Sequence, residues 1–255
     1  MKRIVVKVGS NVLTREDGTL DTTRVSALTD QIQALRSRGI EVILVTSGAV
    51  ACGRSLCQAA PGLDEVQQRQ LHAAVGQVRL MDLYYRLFAD YGIRVGQILT
   101  MKKNFEPGEE YENQRSCMEG MLRSGVLPIV NENDAVSITE LMFTDNDELS
   151  GLVATMMGAD TLILLSNIDG LYDGDPAAPG SRVIARVRPS EDLSAVIGEA
   201  HSSAGRGGMH TKYGVAKRLS AGGIRVLLAC GKRDDVLTLL ADNPAGIVHT
   251  EFSVQ

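Results

Sequence analysis

The sequence predicts an α/β protein in three layers, with a mainly parallel central sheet and helices on both of its faces. Three observations favour this class: short β-branched runs alternate with longer helical patterns, the runs are apolar throughout, and no repeat interrupts them. Continuous apolar runs are typical of strands that helices cover on both faces. Strands are predicted at 3–8, 41–47, 93–99, 126–131, 161–166 and 224–230. Helices are predicted at 22–38, 65–90, 111–124, 147–157 and 209–221.

The segment 170–187, "GLYDGDPAAPGSRVIARV", interrupts this alternation. Its Gly, Asp and Pro residues predict a turn or a hairpin. We expect residues 1–255 to form a single domain, in which an N-terminal lobe of about 1–158 and a C-terminal lobe of about 159–255 share the sheet. The helix at 65–90 contains "LMDLYYRLF", which favours core packing, although part of it could form an interface between copies of the chain.

The composition argues against several classes of protein. The net charge of −5 disfavours a general nucleic-acid binder, and no apolar stretch approaches the roughly 20 residues that span a membrane. The start, "MKRIVVKVGS", is too short and too charged for a signal peptide. The four cysteines show no CxxC spacing, so we expect neither a zinc site nor a disulfide framework; each is interpreted as a buried small hydrophobe in a cytoplasmic protein. They are Cys52, Cys57, Cys117 and Cys230.

Polar residues follow several of the predicted strands, and ligands of open parallel sheets bind beyond the carboxyl ends of the strands. Lys7 lies within an otherwise apolar first strand and is followed by Gly9 and Ser10. Such a lysine is costly to bury unless it meets an anion, and a glycine lets backbone N–H groups approach a phosphate. The alternative is an edge lysine that reaches solvent. The spacing matches neither a P-loop nor a GxGxxG dinucleotide fingerprint.

The second strand ends in "VTSGAVACG", where Ser47 stands at a probable helix start. It can cap that helix, bind a carboxylate or phosphate, or do both. The segment resembles GxSxG only loosely, which disfavours a serine hydrolase.

Two clusters of acids and amides follow, "NENDAV" from 131 and "TDND" from 144. Asp145, Asn146 and Asp147 of the second cluster precede an apolar run, so they can cap a helix and favour its dipole. Two such clusters near strand ends also predict a site that organises cations around a phosphate. Asp134 of the first cluster belongs to this set.

The fifth strand ends at Ser166 and Asn167, and a glycine-rich segment, "AGRGGMHTK" at 204–212, opens a helix. N–H donors, a helix start and the cation of Lys212 suit a polyphosphate, although a flexible turn is the alternative. Two lysines could bracket a phosphoryl group, with an acid between them fixing both. Hard oxygen ligands would suit Mg²⁺ carried on the nucleotide. The histidines are interpreted mostly as surface or capping residues; His210 alone lies near the expected phosphates.

With these motifs the chain resembles the amino acid kinase family and, within it, the glutamate kinases. The matching segments are "KVGSN" at 7–11, "VTSGAVACG" at 45–53, "AAVGQ" at 73–77, "VLPIVNENDAV" at 126–136, "TDNDELSGLVA" at 144–154, "DGLYDGDP" at 169–176 and "GRGGMHTK" at 205–212. The resemblance implies the amino acid kinase fold and phosphorylation of L-glutamate by ATP, giving ADP and L-glutamyl 5-phosphate, the first step of proline biosynthesis.

The resemblance also implies roles for individual residues. Lys7 and Lys212 would stabilise the transferring phosphoryl group, and Asp147 would hold both lysines. Glutamate would be held by Ser47, Asp134 and Asn146, with Asp145 sharing either role. The implied nucleotide-binding residues are Lys7, Gly9, Ser10, Ser166, Asn167, Arg206, Gly207, Gly208, Met209, His210, Thr211 and Lys212.

The chain departs from the family's pattern at three points. Many members carry Thr-Asp or Ser-Asp where Ser166-Asn167 stands here, which puts nucleotide contacts there in doubt. Arg206 and His210 stand where smaller residues are common. The chain ends at Gln255, so we expect a short form without the C-terminal PUA-type domain of many bacterial members.

The sequence also raises expectations about the partners of the chain and about alternative functions. We expect a homo-oligomer, a dimer or a tetramer, and feedback inhibition by proline through a long charged loop at 101–116; a solvated connector is the alternative for that loop. The rival functions are a sister kinase acting on acetylglutamate, aspartate, carbamate, uridylate or isopentenyl phosphate, and a non-catalytic sensor on the same fold.

Overall fold

The computed structural model describes residues 1–137, 143, 145–194 and 208–254. The strands of these residues are β1 (Arg3–Val8), β2 (Glu41–Val45), β3 (Val95–Thr100), β4 (Leu127–Glu132), β5 (Thr161–Ser166), β6 (Arg186–Val187), β7 (Arg225–Cys230) and β8 (His249–Phe252). The helices are α1 (Ser10–Leu13), α2 (Thr22–Arg36), α3 (Ala49–Leu56), α4 (Glu65–Ala89), α5 (Glu109–Arg123), α6 (Asn146–Met156), α7 (Met209–Ala221) and α8 (Val236–Asp242). Short 3₁₀ turns occur at Lys102–Phe105 and Pro244–Gly246.

The strands form one eight-stranded sheet in the order β3-β4-β2-β1-β5-β7-β8-β6. Neighbouring strands are parallel except for β7 and β8, which confirms the mainly parallel sheet. In the centre, Lys7 of β1 is in register with Val45 of β2 and Leu164 of β5. The residues that follow these three strands therefore emerge at one edge of the sheet.

The two faces of the sheet carry separate hydrophobic cores, because successive side chains of a strand point to opposite faces. Val6 and Val8 pack with α2, α4 and α8, whereas Val5 packs with residues of α5, α6 and α7. This arrangement confirms the predicted three layers. Lys7 shares the face of Val5, so its side chain points toward the layer that contains α6 and α7.

Helices α3 and α4 cross at two glycines. A Cβ atom on Gly53 would lie 1.8 Å from the carbonyl oxygen of His72, and one on Gly76 would lie 1.8 Å from that of Ala49. No larger residue fits at either position without moving a backbone. Because the loop after β2 leads into α3, this close crossing fixes the N-terminal half of α4 beside the carboxyl end of the sheet.

Helix α4 is packed on one face and open on the other. Leu80, Tyr84 and Phe88 belong to the core, which confirms the core-packing interpretation for that face. Val78 and Tyr85 on the outer face are 73% and 63% exposed.

Several elements differ from the prediction. Strands β6 and β8 and helix α8 were not predicted, because they are short and β8, "HTEF", is half polar. The hairpin predicted at 170–187 is confirmed by an antiparallel bridge between Tyr172 and Val183, and its last two residues form β6.

The helix predicted at 111–124 is confirmed by α5, and the loop predicted at 101–116 is correct only as far as Gly108. A 3₁₀ turn occupies Lys102–Phe105, and α5 begins at Glu109. The Met101 N–H donates to Oδ1 of Asn104 at 2.7 Å, which closes the turn. Three glutamates in the first turn of α5 favour a helix start there through the helix dipole.

Three single-residue interpretations are also corrected. Cys117 on α5 is exposed and Cys57 is partly exposed, so neither is a buried small hydrophobe; all four cysteines are free thiols. His72, interpreted as a surface or capping residue, is buried where α4 crosses α3.

Within the described ranges, no helix combines the length and the apolar character that crossing a membrane requires.

Candidate active site

A cleft of about 470 Å³ opens at the carboxyl ends of β1, β2, β4 and β5. The loops after these strands and the starts of α1, α3, α6 and α7 line it, as expected for an open parallel sheet. The cleft has a cationic end around Lys7 and Lys212 and an end rich in acids and amides around Asp134 and Asn146.

One buried carboxylate joins two lysines at the cationic end. Asp147, in the first turn of α6, lies 2.5 Å from Nζ of Lys7 through Oδ1 and 2.9 Å from Nζ of Lys212 through Oδ2. Burial by itself would raise the pKa of Asp147, but the two adjacent ammonium groups outweigh it and lower the pKa to about 2. The carboxylate is therefore ionised at neutral pH and holds both cations at the cleft.

Asp145 caps the helix that carries Asp147. Its Oδ1 accepts hydrogen bonds from the backbone N–H groups of Asp147 and Glu148, at 2.9 and 3.0 Å. Burial and the neighbouring Asp147 carboxylate raise the pKa of Asp145 to about 6. The cap and the ion pairs coexist, so both interpretations of the "TDND" cluster apply to this structure: a helix start and an organiser of cations.

Gly9 and Ser10 line the cleft beside Lys7. The backbone N–H of Gly9 donates to the carbonyl oxygen of Leu165 at 3.2 Å, so in this structure it is paired within the sheet. A Cβ atom at Gly9 would lie 3.6 Å from Nζ of Lys7, which is ordinary van der Waals contact, so packing alone does not require a glycine there.

A chain of amide side chains forms the floor of the other end. Nδ2 of Asn146 lies 2.9 Å from Oγ of Ser47 and 3.0 Å from Oδ1 of Asn131. Asn131 in turn donates to Oε1 of Gln77 on α4, at 3.0 Å. These contacts tie the loop after β2 and the end of β4 to the start of α6, so Ser47 and Asn146 are held in fixed positions.

An arginine and two acids lie together at the end of the cleft that is rich in acids and amides. Arg69 of α4 contacts the carboxylate of Asp134 directly and lies 3.7 Å from Oε2 of Glu132. Burial, together with the neighbouring Asp134, raises the pKa of Glu132 to about 7, and burial raises the pKa of Asp134. Sequence reasoning missed Arg69; the surrounding helix segment was recognised at "AAVGQ", but nothing in its periodicity places position 69 at the cleft.

Ser166 and Asn167 line the cleft at the end of β5, beside the cationic end. Of the described residues in the glycine-rich segment, Lys212 alone lines it, whereas His210 is exposed. Gly208 caps α7, and Met209 and Thr211 lie in its first turn. Arg206 and Gly207 lie outside the described residues.

Comparison with known sequences identifies the family. A profile described as the Amino acid kinase family matches residues 2–230. The chain is 56% identical over 250 residues to a glutamate 5-kinase from Bacteroides thetaiotaomicron, covering 98% of this chain and 69% of that protein. It is 47% identical over 255 residues to a glutamate 5-kinase from Chlorobaculum tepidum, covering 100% of this chain and 70% of that protein.

Solved structures with low sequence identity share the fold. A carbamate kinase from Giardia lamblia bound to AMP-PNP aligns with a TM-score of 0.69 at 18% identity, covering 100% of this chain and 99% of that one. A UMP kinase from Bacillus anthracis aligns with a TM-score of 0.68 at 16% identity, covering 99% of this chain and 96% of that one. The sequence match, the eight-stranded sheet and these alignments agree, and this chain belongs to the amino acid kinase family.

Proposed function

We propose that this chain is a glutamate 5-kinase: it transfers the γ-phosphoryl group of ATP to the side-chain carboxylate of L-glutamate. The products are ADP and L-glutamyl 5-phosphate, and the reaction is the first step of proline biosynthesis. The identity to two proteins named glutamate 5-kinase supports this function. The observation that carries it is the pair of lysines held by Asp147 at one end of a cleft whose other end is rich in acids and amides.

The chemistry follows from the charges. A carboxylate oxygen of glutamate attacks the γ-phosphorus while the bond to the bridging oxygen breaks, and the electron pair leaves with ADP. The acceptor is already an anion, so no general base is required. Lys7 and Lys212 neutralise the charge on the transferring group, and Asp147 fixes both ammonium groups before the substrates arrive.

Ser47, Asn146, Asp134 and Asp145 hold the acceptor in this proposal. Hydroxyl and amide donors suit a carboxylate, and the acids suit the α-ammonium group. The amide chain through Asn131 supports the assignment because it fixes the donors in place.

We assign ATP to the side of the cleft that is lined by Ser166, Asn167 and the start of α7. In this proposal the lobe at about 159–255 binds the nucleotide and the lobe at about 1–158 binds glutamate. Among the residues that the structure describes, no group of three or more His, Cys, Asp or Glu side chains could hold a metal ion. Independently of that finding, we assign Mg²⁺ to the phosphates of the incoming nucleotide, where it is part of the substrate, because Mg²⁺ prefers hard oxygen ligands.

Regulation and assembly belong to the same proposal. Lys102 of the 3₁₀ turn pairs with Glu148 of α6 at 3.2 Å, next to the acceptor residues, so proline bound at the acceptor end could act through this contact. An increase in the KM for glutamate at high proline supports this inhibition, and unchanged kinetics oppose it.

The exposed Val78 and Tyr85 support a homo-oligomer. Light scattering measures the oligomeric state. The use of ATP supports a cytoplasmic location.

The function is tested with purified protein, ATP, Mg²⁺ and hydroxylamine, which traps acyl phosphates as coloured hydroxamates. The acceptors are L-glutamate, N-acetyl-L-glutamate and L-aspartate. Signal with glutamate alone is the expected result. Signal with another acceptor indicates a sister kinase, and ATP binding without any transfer indicates a sensor.

A further inference from the structure

Arg69 stands at the acceptor end of the cleft, opposite the two lysines that face the phosphoryl group. We propose that Arg69 binds the α-carboxylate of the acceptor and thereby selects a free amino acid over acceptors that lack this charge. The inference deepens the proposed function and rests on it.

The position of Arg69 is fixed by the start of α4 and by the packing of α4 against α3. It lies on the second turn of α4, whose start is fixed by a capping box between Asp64 and Gln67. The same helix is held against α3 at Gly76, where a Cβ atom would lie 1.8 Å from a backbone oxygen of α3. The Arg69 side chain is 23% exposed and contacts Asp134, whose side chain is 12% exposed. The guanidinium thus reaches the cleft from a rigid base.

The charges of glutamate match this end of the cleft. Its side-chain carboxylate belongs at Lys7 and Lys212, which leaves an α-ammonium and an α-carboxylate at the other end. Asp134 is the acid for the ammonium group. A guanidinium fork matches the geometry of a carboxylate, and an arginine beside Asp134 places the α-carboxylate next to the α-ammonium. Four charges of alternating sign then meet: Arg69, Asp134 and the two α-groups of the substrate.

Arg54 is the rival for this role, because it also lines the cleft. It lies in the last turn of α3 and is exposed to solvent. A charge in that setting is screened and its side chain is less well fixed. Arg69, which pairs with the acid assigned to the α-ammonium group, is better placed.

L-Isoglutamine tests this assignment. It keeps the side-chain carboxylate and the α-amine of glutamate but replaces the α-carboxylate with a neutral amide of the same shape. Glutarate is the matched probe for the other group, since it lacks the α-amine. The kcat/KM of each acceptor is measured for the parent chain, Arg69→Gln, Arg69→Lys, Arg54→Gln and Asp134→Asn, with the Ki against glutamate where turnover is too slow.

We expect the parent to prefer glutamate over isoglutamine by about tenfold or more, the usual effect of one charge-assisted contact. In Arg69→Gln this ratio falls to about one, while the preference for glutamate over glutarate remains. Arg69→Lys keeps the charge but loses the fork, so its ratio lies between those of the parent and Arg69→Gln. Asp134→Asn shows the reverse pattern and loses the preference over glutarate.

The inference is overturned if Arg69→Gln slows glutamate and isoglutamine by the same factor, because Arg69 then only neutralises Asp134 and Glu132. It is also overturned if Arg54→Gln is the variant that loses selectivity. Circular dichroism and ATP binding check that each variant folds; should Arg69→Gln not fold, an unchanged ratio in Arg69→Lys overturns the inference. A parent that does not phosphorylate glutamate at all contradicts the proposed function instead, so the two failures are distinguishable.

Discussion

Lys7 and Lys212 lie on opposite sides of a single carboxylate, with their Nζ atoms 2.5 and 2.9 Å from the two oxygens of Asp147. One lysine comes from the end of β1 and the other from the first turn of α7. Lysine side chains are long and flexible, so without the shared carboxylate each would lose its fixed position. The account of phosphoryl transfer depends on this arrangement.

Replacing Asp147 with Asn is therefore expected to lower kcat by about 100-fold or more, the range for removing a preorganised electrostatic contact. It also leaves the buried ammonium of Lys7 and the largely buried one of Lys212 without their acid, which we expect to destabilise the fold by about 3 kcal/mol. Steady-state kinetics measure the first effect, normalised to the folded fraction from circular dichroism. A folded Asp147→Asn with parental kcat would contradict the role of the carboxylate.

The amide chain makes a separate prediction about the acceptor. Asn131→Ala removes the contacts to Asn146 and Gln77. Asn146 is then held less firmly, by its contacts with Thr46 and Ser47. We expect the KM for glutamate to rise by about tenfold with a smaller change in kcat, as for a lost binding contact. The exposed Asn113 of α5 provides the control, and Asn113→Ala should leave both constants at parental values. An equal loss of kcat with unchanged KM would place Asn131 in the chemical step instead.

Glu132 predicts a specific dependence of stability on pH. Burial and Asp134 raise its pKa from the model-peptide range to about 7 in the folded protein. A raised folded pKa contributes stability that is present below the unfolded pKa, about 4.3, and is lost as pH rises through about 7. Glu132→Gln abolishes this titration, and its amide oxygen can still accept the hydrogen bond from the Phe143 N–H.

As the pH rises from 5 to 8, the parent should therefore lose unfolding free energy relative to Glu132→Gln, by on the order of 1–3 kcal/mol. Urea denaturation at the two pH values measures it. A difference that is the same at both pH values would show that Glu132 is ionised throughout this range.

The crossing of α3 and α4 gives a prediction about packing. In Gly76→Ala the new methyl group would lie 1.8 Å from the carbonyl oxygen of Ala49, so the helices must separate. We expect a loss of about 2–3 kcal/mol. Gly120→Ala on α5 is the matched control, because a Cβ atom there meets nothing within 4 Å. Alanine favours a helix interior over glycine, so the control should be as stable as the parent or slightly more stable. Equal melting temperatures for the two variants would refute the packing argument.

Much of the fold could be predicted because the central strands are apolar runs with helical segments between them. Lys7 and Ser47 could be found because one interrupts and the other follows an apolar strand, and parallel strands end at one edge of the sheet. Asp147 could be found because it belongs to an acidic cluster directly before an apolar helical run. β8 was missed because its side chains alternate only over a few residues, and "HTEF" is too short and too polar to stand out.

Tertiary contacts decided what the sequence could not. Arg69 is one of several polar residues in "QQRQ", and only the crossing of α4 over α3 turns it toward Asp134. The N–H of Gly9 donates to Leu165 of the neighbouring β5, a contact that depends on the order of strands in the sheet and not on the local sequence. The first turn of α5 was covered by the predicted loop as well as in part by the helix predicted at 111–124, because charge alone does not distinguish a solvated turn from the first turn of a helix.

In the proposed reaction a carboxylate oxygen of glutamate attacks the γ-phosphorus of ATP. The most direct test uses glutamate labelled with oxygen-18 in its side-chain carboxylate, with hydroxylamine present to cleave the acyl phosphate at its carbonyl carbon. Mass spectrometry of the released phosphate then reports which oxygen attacked. Phosphate that carries one labelled oxygen, in amounts equal to the ADP formed, is the result this account predicts. Unlabelled phosphate would mean that water attacks ATP, and the account of a glutamate kinase would be contradicted.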